Sequence, residues 1–237
     1  MPASLDIVLP CYNPPAEWAE RVVTCYGRIV EAIGSRPGLI IVNDGSSHGV
    51  LQSDLDLIRA AIPELVYLRN EENRGKGFTL RKGVAVSEAE LCIYTDIDFP
   101  YEEASLLEVH RMLRSGPSIV AGIKGPHYYR NVPVFRRRIS MLLRRLIRFF
   151  LSMDITDTQC GLKGFDRKGR RLFLDTTIDR YLFDLEFLFI ASREKGLDVR
   201  TTEVRLKDRV IFSRMPPRIL MTEGLNFLKV WWRSLRD

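Results

Sequence analysis

The stretch LCIYTDIDFPY (Leu91 to Tyr101) runs from an apolar segment into two carboxylates, Asp96 and Asp98, set one residue apart. In extended chain, side chains alternate between faces, so this spacing predicts that Asp96 and Asp98 share one face and Ile97 takes the other. Two like charges on one face repel, and a hard divalent cation with a preference for oxygen ligands is an economical way to hold them together. The same letters also read as turn or cap aspartates ahead of a helix starting near Pro100, with Glu102 and Glu103 enriching its first turn. Taken alone, the stretch leaves both readings open.

The segments around it settle the fold class. LDIVLP (Leu5 to Pro10), LIIVND (Leu39 to Asp44), LVYLRN (Leu65 to Asn70) and ELCIYTD (Glu90 to Asp96) are buried-strand patterns ending in polar or turn residues. Glu17 to Ile33 and Phe78 to Ser87 carry helical spacing between them, and Ser118 to Ile123 reads as a further strand. Alternation of strand and helix predicts an α/β protein, a mainly parallel sheet flanked by helices with ligand chemistry at the carboxyl ends of the strands. Those ends carry Tyr12 and Asn13, then Asp44, then Asn73 to Gly77, then Asp96 and Asp98.

With 237 residues and 46% hydrophobic composition, the chain can bury the core of one domain. No apolar run reaches the roughly 18 to 20 residues that span a bilayer, and the first residues lack a charged leader with an apolar core, so the expected location is the cytosol. Cys11, Cys25, Cys92 and Cys160 form no C-x-x-C pair, which argues against a zinc site or a disulfide framework and for buried neutral thiols. The net charge of +6 is unevenly spread: Val109 to Met153 holds no Asp or Glu but many arginines, a composition that attracts phosphate as nucleic acid, lipid head group or phosphorylated substrate. In the segment from Pro133 to Met153, Phe135, Ile139, Leu142, Leu143, Leu146 and Phe150 repeat at helical spacing beside Arg137, Arg138, Arg144, Arg145 and Arg148. From Arg218 to Arg236, Leu225, Leu228, Trp231, Trp232 and Leu235 accompany Lys229, Arg233 and Arg236. Both segments have the composition of helices lying in an anionic membrane interface, and both also suit core-packing helices with a solvated basic face.

VNDGSS (Val42 to Ser47), NRGKG (Asn73 to Gly77) with Lys82 and Gly83 behind it, and TDID (Thr95 to Asp98), with LPCYN at the front, resemble in order and spacing a family 2 glycosyltransferase of GT-A fold. DTQCGLKGF (Asp157 to Phe165) and FDLEFLF (Phe183 to Phe189) resemble the subgroup that transfers sugars to dolichyl or undecaprenyl phosphate. The resemblance implies a single GT-A domain over 1–237, with a nucleotide-sugar half at about 1–125 and an acceptor and membrane-interface half at about 126–237. It implies a UDP- or GDP-hexose donor, a polyprenyl phosphate acceptor, Mg2+ or Mn2+ as cofactor, and peripheral attachment to the inner face of a membrane with anionic lipids. Pro10, Tyr12, Asn13, Asp44, Asn73, Lys76, Gly77 and Asp96 are thereby assigned to the nucleotide sugar, with Asp44 accepting hydrogen bonds from base or ribose. Asp98 is assigned as metal ligand and Asp96 as its partner. Lys124, Arg136, Ser140 and Arg209 are assigned to the acceptor phosphate, and Asp96, Asp98, Arg136 and Arg209 to catalysis. Two departures stand out: Pro100 replaces a polar side chain that assists the metal in relatives, and Lys124 supplies a point charge where an arginine fork is common.

The acceptor's charge sets the chemistry. A phosphate monoester is mostly dianionic at neutral pH, so its oxygen needs no strong base before attacking the anomeric carbon, and in-line attack inverts that centre. Asp184 and Glu186 are then expected to orient the donor sugar or the arginines. A family 2 enzyme with a saccharide hydroxyl as acceptor would instead need one of them as base. A basic nucleic-acid-binding module is the distant alternative; the arginines lie on an amphipathic segment and no recognised nucleic-acid motif is present, so no nucleic-acid partner is expected.

Overall fold

The computed structural model describes residues 4–125, 128, 134–207 and 217–235. The elements in chain order are β1 (Leu5–Cys11), α1 (Trp18–Ile33), β2 (Gly38–Asn43), α2 (Gln52–Ala61), β3 (Val66–Arg69), α3 (Lys76–Ala85), β4 (Leu91–Tyr94), α4 (Glu103–Arg114) and β5 (Ile119–Lys124). They continue with α5 (Val134–Leu146), which runs into a π-helical turn (Ile147–Leu151), then β6 (Lys163–Phe165), α6 (Arg167–Leu174), α7 (Phe183–Arg193), β7 (Val199–Val204) and α8 (Pro217–Ser234). One seven-stranded sheet has the order β3-β2-β1-β4-β6-β5-β7. Among the described strands only β6 runs against its neighbours, pairing antiparallel with both β4 and β5.

The central strands are apolar on both faces because helices cover both. Ile7, Leu9, Ile41 and Ile93 pack with α1, α2 and α4, whereas Val8, Ile40, Val42, Cys92 and Tyr94 pack with α3, α6 and α7. From β1 the chain moves outward through β2 and β3, then returns to add β4 on β1's other side. Strand order therefore reverses between β1 and β4, which opens a crevice at their carboxyl ends. Tyr12 and Asn13 leave β1 there, and Asp96 and Asp98 leave β4 there.

The two aspartates are not on extended chain. β4 ends at Tyr94, and Ile97 and Asp98 form a turn in which the Phe99 amide donates to the Asp96 carbonyl at 3.0 Å. Phe99 adopts φ 44°, a left-handed conformation rare for a bulky residue. Strand alternation therefore does not place Asp96 and Asp98 on one face; the turn sets their relative position. Of the alternative, the turn half holds, since Ile97 and Asp98 form a turn ahead of a helix with Glu103 in its first turn; the cap half does not, because α4 starts at Glu103 behind Glu102 and takes no side-chain cap.

Gly83, which follows the NRGKG stretch on α3, lies against the sheet: a Cβ there would sit 2.6 Å from Val8 Cγ1 and 2.9 Å from Val42 Cγ2. Helix and strands approach too closely for a methyl group. Gly83→Ala is expected to destabilise by about 1–3 kcal/mol through overpacking, read as a lowered urea midpoint with unchanged slope; an unchanged midpoint would show that α3 moves off the sheet freely.

Candidate active site

The crevice is organised by carboxylates that bind backbone. Asp44, buried just beyond β2, accepts from Asn70 Nδ2 (2.8 Å) and the Arg74 amide (2.9 Å) on Oδ1, and from the Gly75 amide (2.9 Å) on Oδ2. Three of its roughly four lone-pair positions are so used. Asn13, at φ 44°, accepts at Oδ1 from the Ser47 amide (3.0 Å) and the His48 amide (3.3 Å), while its own amide donates to Ser46 Oγ (2.9 Å). VNDGSS and NRGKG are therefore tied to each other and to the end of β1 before any ligand arrives. Tyr12 stays half-exposed at the mouth, with Pro10 behind it and Asn73 beside the loop.

Lys76 opens α3 and forms an ion pair with Asp96. Burial works to strip its proton, but the carboxylates of Asp96 and Asp184 outweigh burial and hold its pKa above the ordinary lysine value. Gly75 and Gly77 prove to be glycines for the protein's own packing. A Cβ on Gly75 would lie 2.5 Å from the Asp179 carbonyl, and that carbonyl accepts from the Gly77 amide (2.7 Å) and the Phe78 amide (3.2 Å), closing the first turn of α3.

Asp98 is half-buried and enters no ion pair among the described residues. Burial raises its pKa first and Asp96 second, against its own backbone amide, Lys76 and Arg21. Among the described residues no three His, Cys, Asp or Glu side chains converge on one point. Two carboxylates, one of them already paired, suit a cation that keeps several waters and completes its shell with substrate phosphates; they do not suit one that needs an all-protein cage.

On the other side of the crevice Asp157 collects cations. It pairs with Arg144 of α5, accepts from the Lys124 amide and lies 3.9 Å from Lys124 Nζ, which also sits over the Tyr128 ring. Burial pushes Lys124 below the ordinary lysine value, with Asp157 opposing. Ser140 is half-buried on α5. Arg136 is placed on α5 by its backbone alone, and its side chain, like all of Arg209, lies outside the described residues.

Asp184 and Glu186 are both buried and committed. Glu186 accepts from the Thr177 amide (2.7 Å), Thr177 Oγ1 (2.8 Å) and the Ile178 amide (2.8 Å), holding the turn whose Asp179 caps α3. Asp184 accepts from the Tyr94 hydroxyl and pairs with Lys163 at 2.7 Å. Neither carboxylate is placed as a base. The sequence assigns no role to Lys163 or Asp157; the one signal is that both are charged residues of the same motif, DTQCGLKGF.

The apolar faces of α5 and α8 divide. On α8, Phe227, Val230 and Trp231 turn inward, and Trp231 meets Phe150 edge-on, whereas Met221, Leu225, Leu228, Trp232 and Leu235 form an exposed stripe at helical spacing. Of the two tryptophans in this segment, Trp232 is exposed and Trp231 packs against the core. Phe135, Leu142 and Phe149 are exposed along α5 and its π turn, among exposed Arg138, Arg145 and Arg148.

The sheet order and the strand-end position of this candidate site are those of the GT-A type of α/β fold. The glycosyl transferase family 2 model matches residues 6–173, and the chain belongs to that family. It is 25% identical over 203 residues to a dolichyl-phosphate beta-glucosyltransferase of Dictyostelium discoideum, covering 80% of this chain and 62% of the relative. It is 31% identical over 204 residues to the Homo sapiens dolichyl-phosphate beta-glucosyltransferase, covering 79% and 63%. The chain thus spans under two thirds of the length of both relatives. Among solved structures, glucosyl-3-phosphoglycerate synthase of Mycobacterium tuberculosis, in complex with Mn2+, UDP and phosphoglyceric acid, superposes with TM-score 0.71 at 16% identity, over 98% of this chain and 78% of that one. That likeness is one of fold.

The Asp98 turn continues into a tether. The Lys207 amide donates to the Pro100 carbonyl at 2.9 Å, and Lys207 Nζ to Glu103 Oε1 at 3.0 Å. Burial raises the Glu103 pKa, but Lys207 dominates and holds it at about 2 against the usual 4.5. A depressed carboxylate contributes stability that is complete above about pH 4.5 and lost as pH falls through about 2. Urea midpoints measured across that window should decline, and the decline should be shallower in Glu103→Gln; identical profiles would remove the tether from the acid response.

Proposed function

We propose that the chain moves a hexose, with inversion, from a UDP- or GDP-sugar to a dolichyl or undecaprenyl phosphate at the cytoplasmic face of a membrane. It works as one unit with a donor half at about 1–125 and an acceptor half at about 126–237. The observation that carries this reading is the loop Asp157–Gly161, which touches both halves. At one end Asp157 holds the Lys124–Arg144 cations. At the other, Gly161 lies so close to Asp96 that a Cβ would be 2.6 Å from Oδ2. A cationic cluster that would suit an anion and carboxylates that would suit a phosphate-bound cation thus stand one loop apart. The relatives named above support a dolichyl-phosphate acceptor and a glucosyl group, and the UDP of the structural neighbour supports a uridine donor.

In this reading Pro10, Tyr12, Asn13 and Asn73 line the nucleotide pocket, where Asp44 offers its remaining lone pair. Lys76 and Gly77 bring α3's first turn to the donor, and Asp96, neutralised by Lys76, faces the ribose. A divalent cation, Mg2+ or Mn2+, held by Asp98 with Asp96 beside it, neutralises charge on the departing nucleoside diphosphate when bound. Lys124, Arg136, Ser140 and Arg209 orient the acceptor phosphate, whose dianionic oxygen needs no side-chain base. That matches the engagement of Asp184 and Glu186 elsewhere. No helix among the described residues is long and apolar enough to cross a membrane. The exposed stripes of α5 and α8, edged by arginine, instead suit insertion at head-group depth, each basic residue adding about 1 kcal/mol near an anionic surface.

A panel of UDP- and GDP-hexoses with a short polyprenyl phosphate, scored for organic-soluble glycolipid, tests the reaction. One donor should give product in Mg2+ or Mn2+, and Asp98→Asn should lower turnover by about 100-fold or more, the scale of losing one electrostatic contact to developing charge. Glycolipid from no pair, or near-normal turnover of the variant, would contradict the proposal. Trp232→Ser should weaken flotation with anionic vesicles and transfer to a vesicle-embedded acceptor, but spare transfer to the short-chain one. Equal loss on both acceptors would remove α8 from the membrane.

A further inference from the structure

Lys163 is the most enclosed charge among the described residues, with a side chain 0% exposed. An ammonium only donates, and this one meets two carbonyls and a carboxylate. Lys163 Nζ donates to the Cys160 carbonyl (2.6 Å) and the Thr158 carbonyl (3.0 Å), and it pairs with Asp184 Oδ1 (2.7 Å). Asp184 in turn accepts from the Tyr94 hydroxyl at the end of β4. Desolvating an ammonium and a carboxylate costs several kcal/mol each, and a well-packed apolar pair of similar size is often as stable or more so. Stability alone is therefore a weak reason for this pair.

The position of the two carbonyls supplies another. Thr158 and Cys160 lie inside the loop Asp157–Gly161, so the ammonium clamps that loop from beneath, between its two working ends. Asp157 at the first end fixes Arg144 and Lys124. Gly161 at the second packs on Asp96 Oδ2 and Lys76 Nζ, and its amide donates to the Tyr101 hydroxyl at 2.9 Å, just past the Asp98 turn. Asp184 then joins the clamp to Tyr94, the last residue of the strand that presents Asp96. The clamp and both halves of the site form one connected set of contacts.

We propose that Lys163 is a positioning residue for transfer, setting the separation between the donor-side carboxylates and the acceptor-side cations by pinning the Asp157–Gly161 loop to the end of β4. The proposal rests on the transfer reading above. It requires that each half bind its own ligand without Lys163 and that only their mutual alignment depend on it. Because reaction demands that the acceptor oxygen stand about 3–3.5 Å from the anomeric carbon, a 1 Å drift between the halves can cost about 100-fold. Loss of the clamp should therefore lower kcat and leave donor affinity in place.

The test is the double variant Lys163→Met/Asp184→Asn, which leaves no unpaired buried charge. It is compared with the wild type by thermal melting, amide hydrogen exchange, calorimetry with the UDP- or GDP-sugar that the panel identifies, and transfer to the short-chain acceptor. Expected are a folded protein, faster exchange confined to the amides of 158–161, donor affinity within about threefold, and kcat lowered by about 30-fold or more. Tyr94→Phe, which removes the hydroxyl that joins Asp184 to the end of β4 and lies in neither half of the site, should give the same separation of kcat from affinity. Wild-type kcat in either variant overturns the proposal, as does loss of donor affinity in step with kcat. If the double variant does not fold, Lys163 is a determinant of the fold and the positioning role falls. An inactive wild type counts against the transfer reading alone, and unchanged exchange at 158–161 would then overturn the clamp independently.

Discussion

Two carboxylates one residue apart, at the end of an apolar strand, are the constraint around which the crevice is built. Like charges repel, and after burial Asp96 is the second cause that raises the Asp98 pKa, so a cation beside the pair relieves it. Lys76 supplies part of that relief by pairing with Asp96. For Lys76 to reach, α3 must begin in the crevice, and its first amides are capped there by the carbonyl of Asp179. The Asp179 turn is held in place by Glu186. What Lys76 leaves unanswered is Asp98, whose proton affinity is raised by burial and by its neighbour.

The interior around the site is filled with charge, and every buried carboxylate there has a structural task. Asp44 binds the NRGKG backbone, Asp157 binds Lys124 and Arg144, Asp184 binds Lys163 and Tyr94, and Glu186 binds the Thr177–Ile178 amides. Buried pairs of this kind add little net stability but select one arrangement over others, because any partner left unpaired costs several kcal/mol. The transfer proposed above, which has to align two anionic substrates, would gain from such selection. The chemistry then falls to the groups left over at the surface of this network.

The sequence disclosed the parts with regular periodicity. β1, β2 and β4 carry apolar side chains on both faces, so their letters read as strands, and Trp18–Ile33 shows its inward residues at helical intervals. β6 was hidden because three residues carry no period, and its antiparallel direction depends on strands far away in sequence. The D-x-D pair was visible, but its turn was not, since nothing local announces Phe99 at positive φ. Composition marked α8 as amphipathic yet could not separate Trp231 from Trp232, adjacent residues whose fates are decided by Phe150 packing on one of them. Asp44 read as a ligand contact, while most of its acceptor capacity serves two loops, a commitment visible only once Asn70, Arg74 and Gly75 are brought together.

In the proposed mechanism Lys76 neutralises Asp96 and leaves Asp98 to take a divalent cation that a nucleoside diphosphate helps to hold. Mn2+ binding followed by calorimetry, with and without UDP or GDP, addresses this directly in the wild type, Asp98→Asn and Lys76→Met. The account predicts weak binding to the wild type alone, tight binding once the matching diphosphate is present, and loss of that enhancement in Asp98→Asn. Lys76→Met should bind Mn2+ more tightly without nucleotide, because both carboxylates are then open. Equal Mn2+ affinity in the wild type and Asp98→Asn with nucleotide present would contradict it.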